Sequence, residues 1–417
     1  MQPNNRRSFL QTAGSGLAGM FGLSKLSAAA QTAARVYQRP KLKITDVKTA
    51  ALQGFHVRLY TDQGLTGDGE AVDAISGASG IVQGFRFSLM NQDPLNVEAI
   101  WERIRTTGVF SGAQAGQFVT ALTAVEIALW DLTGKALGIP IYQLMGGKMR
   151  DKIRVYIDSA VESRDDPQSR PFIARIVEEG WTMAKIDVDD ARDPARFDRV
   201  NWTANNIEMD HMLDKIAFMR ESLPKNIELA VDMHARYDLP TAKRFAKETE
   251  PFKLVWLEEP VPPENIDAMR DVRQSCHTPI CCGENIYMRW GFRELFEKNA
   301  VDIIMPDVQK CGGLAEAKKI ADLAHTYYIP VAPHCQASPI GMMAACHAMS
   351  TVPNFLVQEW HWGHPPERNA RWKQYVEEGD IIQKGYIAVP DKPGIGLTIN
   401  DEALRKLARP NSPWFTA

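Results

Sequence analysis

Val231-Asp232-Met233-His234, then Val255-Trp256-Leu257-Glu258-Glu259-Pro260, then Cys282-Gly283-Glu284-Asn285 are three pieces built alike. Each closes an apolar run. Residues 226–231, 252–257 and 278–282 read as short buried strands, each ending on a carboxylate. Asp232, Glu258 and Glu284 lie 26 residues apart (258 − 232 and 284 − 258), room for one strand and one helix. Three hard oxygen donors at successive strand ends suit Mg²⁺, which takes carboxylates together with water and substrate oxygens. One strand-end carboxylate would carry little weight. Three in phase do not read as solvated surface.

The period continues on both sides. Residues 302–306 run into Asp307, 328–333 into His334 and 354–358 into Glu359. Upstream, residues 153–157 end at Asp158, and Met183-Ala184 leads to Lys185-Ile186-Asp187. Strands alternating with helical segments of this size predict an α/β fold with a parallel barrel. In such barrels the chemistry collects at the C-terminal ends of the strands.

These motifs together resemble the enolase superfamily, in its mandelate racemase-like branch, and within it the acid-sugar dehydratases of the galactonate dehydratase type. The resemblance runs from about Lys41 to the C-terminus. It implies a (β/α)7β barrel over residues 151–359. An α+β capping domain is expected from residues 41–150, completed by 360–417. It also implies that Asp232, Glu258 and Glu284 bind one Mg²⁺ and that Asp307 pairs with His334. His234 matches the acid that helps a 3-hydroxyl depart. Glu359 matches the eighth-strand group that hydrogen-bonds the substrate carboxylate. Lys185 matches the first Lys of a Lys-x-Lys pair whose second member is here Asp187. Racemases of this branch use that second Lys as a base on the opposite face, so Asp187 favours one-base dehydration. Asp187 and Asp158 are expected to contact substrate.

The chemistry fits those residue types. Removing a proton next to a carboxylate creates an enediolate, whose charge a divalent cation and fixed donors stabilise. The base needs a pKa near working pH, and a carboxylate partner orients an imidazole for that task. His234 stands two positions after Asp232, so a continuing strand would point both to one face. The reading is Mg²⁺-dependent dehydration of an aldonate-type sugar acid to a 2-keto-3-deoxy acid. Two alternatives stand beside it. One is an epimerase or racemase using His334 and Asp187. The other is an exported sugar-acid binding protein without turnover, against which the intact triad, dyad and Glu359 argue.

The rest of the chain sets the context. Its 417 residues allow two domains and a large core. A net charge of −3 gives no case for a nucleic-acid partner. No apolar run is long enough to span a membrane. A homo-oligomer is expected. Residues 1–34 read as a signal segment: Arg6-Arg7-Ser8-Phe9-Leu10 is a twin-arginine pattern, followed by a cleavage site at Ala28-Ala29-Ala30. This implies the twin-arginine export machinery as a partner and a periplasmic or otherwise exported location.

Six cysteines (276, 281, 282, 311, 335 and 346) show no C-x-x-C pair and read mainly as small buried hydrophobes. Residues 43–60 and 64–70 read as cap strands, 97–107 and 117–138 as helices, the second for packing rather than catalysis. The Gly-rich stretches 76–84 and 108–116 read as loops, over the barrel mouth or simply at the surface. Asp187 and Asp232 stand 45 residues apart (232 − 187), which implies an insertion near 189–210. It either walls the site or forms a helix hairpin outside. His361 and His364 follow the last expected strand and read as structural loop residues rather than substrate contacts.

Overall fold

The computed structural model describes residues 39–52, 54–190, 192–196, 198, 200–361, 370–408, 414 and 415. The twin-arginine segment with its cleavage site, and His364, lie outside the described residues. Strands β1 (Ile44–Ala51), β2 (Phe55–Thr61) and β3 (Thr66–Ala71) form an antiparallel sheet. The helix Gly116–Leu137 lies across it. Gly69 on β3 permits that approach, because a Cβ there would stand 2.1 Å from the Ala124 carbonyl oxygen. This helix is buried on nearly every side from Val119 to Gly134, since it is packed from two directions. Glu126 shows the second direction. It accepts the backbone N–H groups of Leu314 and Ala315 at 2.8 and 2.9 Å, capping a barrel helix. Residues 76–84 are not an open loop: Ala78–Gly84 is helical, and Ala78 and Val82 are buried.

The barrel begins at β4 (Lys152–Ser159). It continues in parallel through β5 (Met183–Asp187), β6 (Glu228–Asp232), β7 (Leu257–Glu258), β8 (Ile280–Cys282) and β9 (Ile303–Ile304). The seventh stave is a single residue, Val331, bridged in parallel to Ile304 on one side and Phe355 on the other. The longer strand expected over 328–333 is cut short by Pro330 and Pro333, which bring no N–H to the ladder. The last stave, β10 (Gln358–His361), pairs in parallel with β4 and closes the ring. Residues 252–257 also shorten, because Glu250–Phe252 turns as a 3₁₀ helix and Lys253 takes a left-handed conformation.

Seven helices connect the eight staves among the described residues. Four of them open on Asn205, Asp238, Asn265 or Ser338, whose side chains accept backbone N–H groups of the first turn. After the barrel, β11 (Ile382–Gln383) and β12 (Tyr386–Ala388) form a hairpin, and β12 pairs antiparallel with β4. The chain then meets the cap: Asp131 accepts the Ile395 N–H at 2.8 Å, and Arg58 pairs with Asp401 at 2.8 Å.

Two-residue alternation divides the core. Tyr156, Met183, Ala230, Trp256, Cys281, Ile303, Met305, Ala332 and Val357, each in a stave or directly beside one, make a small cluster of their own. Their strand neighbours, such as Val155, Ile157, Leu229, Val231 and Leu257, belong to the large cluster beneath the helices. The small cluster is the barrel interior. Seven of the expected site residues follow an interior residue by two: Asp158, Lys185, Asp232, Glu258, Asp307, His334 and Glu359. They form the next layer up.

Candidate active site

Glu284 breaks that parity, standing three residues after Cys281. Gly283 between them has φ of 143°, which turns the chain and brings the carboxylate back to the interior face. A side chain at 283 is also blocked, since its Cβ would meet Phe292 at 2.8 Å. As a result Asp232, Glu258 and Glu284 converge, with carboxylate oxygens within 4.8 Å of one another.

Lys185 rises into the same layer. Its Nζ stands 3.1 Å from Asp232 and 2.9 Å from both Glu258 and Glu359. All four groups are buried. One ammonium cannot balance three buried carboxylates. Burial and the Asp232 charge push Glu258 well above the ordinary carboxylate range despite Lys185. A cluster of hard, charge-rich oxygens with too little positive charge fits a divalent cation. The cysteines do not compete: five of the six are buried, all six are unpaired, and burial raises each thiol.

His334 occupies one side of this cluster. Its Nδ1 donates to Asp307 at 2.6 Å, which leaves Nε2 inward, 3.2 Å from Glu284 and 3.6 Å from Glu359. Burial alone would lower its pKa. Glu359, Glu284 and Asp307 outweigh burial and push it up to about 10. Positive charge placed on Glu284 would weaken one of those three influences. Both oxygens of Glu359 are engaged, one by Lys185 and the other by the Cys335 N–H at 2.8 Å.

His234 occupies the other side, but not by continuing the strand. β6 ends at Asp232, and His234 and Ala235 both take left-handed conformations. The Asp232 carboxylate accepts the His234 N–H at 2.7 Å and holds this turn. The ring then lies with Nε2 3.5 Å from Asp232 and Nδ1 2.7 Å from Asp189. Burial opposes its charge, but Asp232, Asp189 and Asp187 push its pKa up to about 11. These carboxylates favour the charged, proton-donating form of His234. Asp187 lies near it, held well above the carboxylate range by burial and by the Asp158 charge.

Several participants were not singled out from the chain alone. Asp189 orients His234; its signal was its place two residues after Asp187, in strand phase. Lys310, largely buried, bridges Asp73 of the cap at 2.8 Å and Asn285 at 3.2 Å, and Asn285 donates to Glu284 at 2.8 Å. This chain joins the cap to the triad. His361 is not a loop residue: it ends β10, and its Nδ1 lies 2.6 Å from Asp158.

Two clefts flank the site. One, of about 930 Å³, is lined by Gln114, Ala115, Trp202, Ala235, Asn285 and Tyr287 among others. Residues of both the 108–116 stretch and the insertion after β5 thus wall the mouth. The other, of about 510 Å³, lies at the ends of β4, β5 and β10.

Comparison with known proteins agrees with this geometry. The enolase C-terminal domain-like family matches residues 170–403, and the mandelate racemase / muconate lactonizing enzyme N-terminal domain matches residues 29–146. A D-xylonate dehydratase of Haloferax volcanii is 40% identical over 368 residues, covering 87% of this chain and 88% of that protein. A D-galactonate dehydratase of Pectobacterium atrosepticum is 30% identical over 381 residues, covering 89% and 96%. The crystal structure of a mandelate racemase/muconate lactonizing enzyme-like protein from Rubrobacter xylanophilus superposes with a TM-score of 0.84. It is 41% identical and covers 91% of this chain and 100% of that one. With both halves matched and the fold shared, the chain belongs to the mandelate racemase / muconate lactonizing enzyme family of the enolase superfamily.

Proposed function

We propose that the protein is a Mg²⁺-dependent hydro-lyase that converts an aldonate-type sugar acid into a 2-keto-3-deoxy acid. The observation that carries this reading is the pair of unlike histidines on opposite sides of one carboxylate cluster. His334 is buried with Asp307 and presents Nε2 inward. His234 is held by Asp189 at 2.7 Å, and the surrounding carboxylates favour its charged form. The relatives named as D-xylonate and D-galactonate dehydratases support it.

Asp232, Glu258 and Glu284 are the residues that would hold the Mg²⁺. When bound, that ion supplies positive charge for the oxygens of the substrate carboxylate as the α-proton leaves. His334 takes the C2 proton at Nε2 from its neutral form, which requires the Glu284 and Glu359 charges that raise its pKa to be offset, and Asp307 stabilises the imidazolium that results. The Lys185 ammonium, fixed by three carboxylates, adds a preorganised positive charge that needs no rearrangement during the reaction. Nε2–H of charged His234 then gives its proton to the 3-hydroxyl, which departs as water. Electrons of the enediolate move into the C2–C3 bond, and the enol becomes the ketone.

The test is incubation of the purified protein with a panel of sugar acids and Mg²⁺, assayed for 2-keto acid. Formation of a 2-keto-3-deoxy acid is expected. Inversion at C2 without water loss would make the protein an epimerase, and absence of any C2 chemistry would make it a binding protein.

A further inference from the structure

Glu284 has a hydrogen-bonded route out to the cap. Its Oε1 accepts Nδ2–H of Asn285 at 2.8 Å, while Oε2 faces His334. An amide offers its nitrogen in that direction only while its oxygen points the other way. Lys310 fixes the choice: its Nζ donates to Asn285 Oδ1 at 3.2 Å and to Asp73 Oδ2 at 2.8 Å. An ammonium has donors and no acceptor, so it pins the amide oxygen and never the nitrogen.

The two ends of this relay are packed differently. The Lys310 side chain is 7% exposed, and its backbone carbonyl accepts Thr123 Oγ1–H at 3.2 Å from the helix Gly116–Leu137. Burial opposes its charge, but Asp307 and Asp73 outweigh burial and raise its pKa. Asp73 stands between β3 and the helix Ala78–Gly84, in a short segment where residues 73 and 75–77 are exposed. Its φ of 53° is left-handed, a conformation that Asp tolerates better than most residues. Gln117 holds the backbone there: its Nε2–H goes to the Asp73 carbonyl at 2.8 Å, and its Oε1 takes the Ile75 N–H at 2.9 Å. Lys310 holds the Asp73 side chain from the barrel.

We propose that Lys310 is a positioning residue that couples docking of the 73–77 segment to the affinity of the carboxylate triad for Mg²⁺. With the segment docked, Asp73 holds the ammonium, the ammonium holds the amide, and the amide holds Glu284 Oε1. With it undocked, Lys310 loses one of the two side chains to which it donates and is drawn toward the Asp307 charge, which frees Asn285 to turn. The reverse follows by linkage: Mg²⁺ on the triad favours the docked segment by the factor by which docking favours Mg²⁺. This rests on the Mg²⁺ reading above, whichever sugar acid is used.

The test uses Mg²⁺ alone, with two readouts: calorimetric titration, and amide hydrogen exchange at Ile75. Lys310→Met should weaken Mg²⁺ binding about 10- to 100-fold, the usual effect of removing a group that orients a ligand. Asp73→Gly suits a left-handed φ and removes the carboxylate; it should weaken binding about 10-fold. The double variant should bind no worse than Lys310→Met, since both residues act through one ammonium. In wild type, saturating Mg²⁺ should slow exchange of the Ile75 N–H by about the same 10-fold, and in Lys310→Met it should not. A merely structural role for Asp73 would lower Tm in chelator without moving Mg²⁺ affinity. If Lys310→Met fails to fold, Asp73→Gly and the wild-type exchange decide. Full-strength binding by either variant, additive losses in the double variant, or Ile75 exchange indifferent to Mg²⁺ in wild type would each overturn the coupling and leave the dehydratase reading intact. A wild type that binds no Mg²⁺ would remove the metal reading and this inference together.

Discussion

Lys185→Met removes the one ammonium at the centre of the site and keeps most of its volume. Three carboxylates then lose a partner at 2.9–3.1 Å: Asp232, Glu258 and Glu359. None of them is more than 1% exposed, so water does not replace the lost charge. Breaking a buried ion pair from one side typically costs about 3–5 kcal/mol. A natural protein holds only about 5–15 kcal/mol in total. Near-equal volume keeps the cavity cost small. At about 2–4 °C per kcal/mol for domains of about 150–250 residues, the loss corresponds to a fall in Tm of about 10 °C.

Sign and conditions sharpen this prediction. Lys185 is held well above its ordinary value, by Glu258, Glu359, Tyr156 and Asp232 acting against burial. A raised lysine contributes fully below its unfolded pKa and loses its contribution only as pH climbs through the folded value. The wild type therefore has the whole contribution at neutral pH. In the variant the carboxylates relieve themselves by protonation, so the gap should narrow as pH falls toward the ordinary carboxylate range. Excess Mg²⁺ should narrow it as well, because a ligand of the folded state alone adds stability by mass action. The assay is calorimetric or fluorescence unfolding at neutral pH, in chelator and again in excess Mg²⁺. An unchanged Tm in chelator would refute the claim that Lys185 neutralises this cluster.

Three other perturbations probe separate parts of the account. His347 is buried and neutral, accepting the Tyr142 N–H at Nδ1 and donating from Nε2 to the Ile395 carbonyl; burial lowers its pKa to about 4. Its stabilising contribution is present above the unfolded value of about 6.5 and is lost as pH falls toward 4, up to about 3 kcal/mol. His347→Gln should flatten stability against pH in that window, and an unaltered slope would clear His347 of the effect. Gly283→Ala should cost about 1–3 kcal/mol through backbone strain and the clash with Phe292. It should also weaken Mg²⁺ binding by displacing Glu284, which titration calorimetry would detect; full-strength binding would show that residue 283 does not set the carboxylate's position. We further propose that Arg6-Arg7 directs export: Arg6→Lys with Arg7→Lys should leave the protein in the cytoplasm, and unchanged export on cell fractionation would count against it.

How far the sequence could be read depended on whether one strand period carried the information. The barrel, its order and the carboxylates at its mouth follow from residues repeating at strand ends, and the structure sets Asp158, Lys185, Asp307, His334 and Glu359 in one layer at or just past those ends. Failures occur where the backbone leaves that period. Gly283 and the left-handed turn at His234 return side chains to the site by routes that alternation does not describe. The prolines at 330 and 333 reduce a stave to one bridge. Partners from distant segments were also out of reach. The Asp73–Lys310–Asn285 chain joins residues far apart in sequence, and the Asp158–His361 pair exists only because β10 closes onto β4. That the cap helix packs from two directions is not legible in its own periodicity, because its second neighbour, the barrel helix opening at Leu314, lies far along the chain.

The central claim is that two histidines divide the reaction, and deuterium incorporation at C2 in D₂O separates their roles. The measurement follows exchange and 2-keto acid formation together, for His334→Asn and His234→Asn, at saturating sugar acid and Mg²⁺. His334→Asn should lose both, by about 10²–10⁴-fold, the usual worth of a general base. His234→Asn should keep C2 exchange and lose dehydration, because the proton can still be removed while the 3-hydroxyl lacks its acid. Dehydration by His234→Asn at near wild-type rate, or C2 exchange surviving in His334→Asn, would contradict this division of labour.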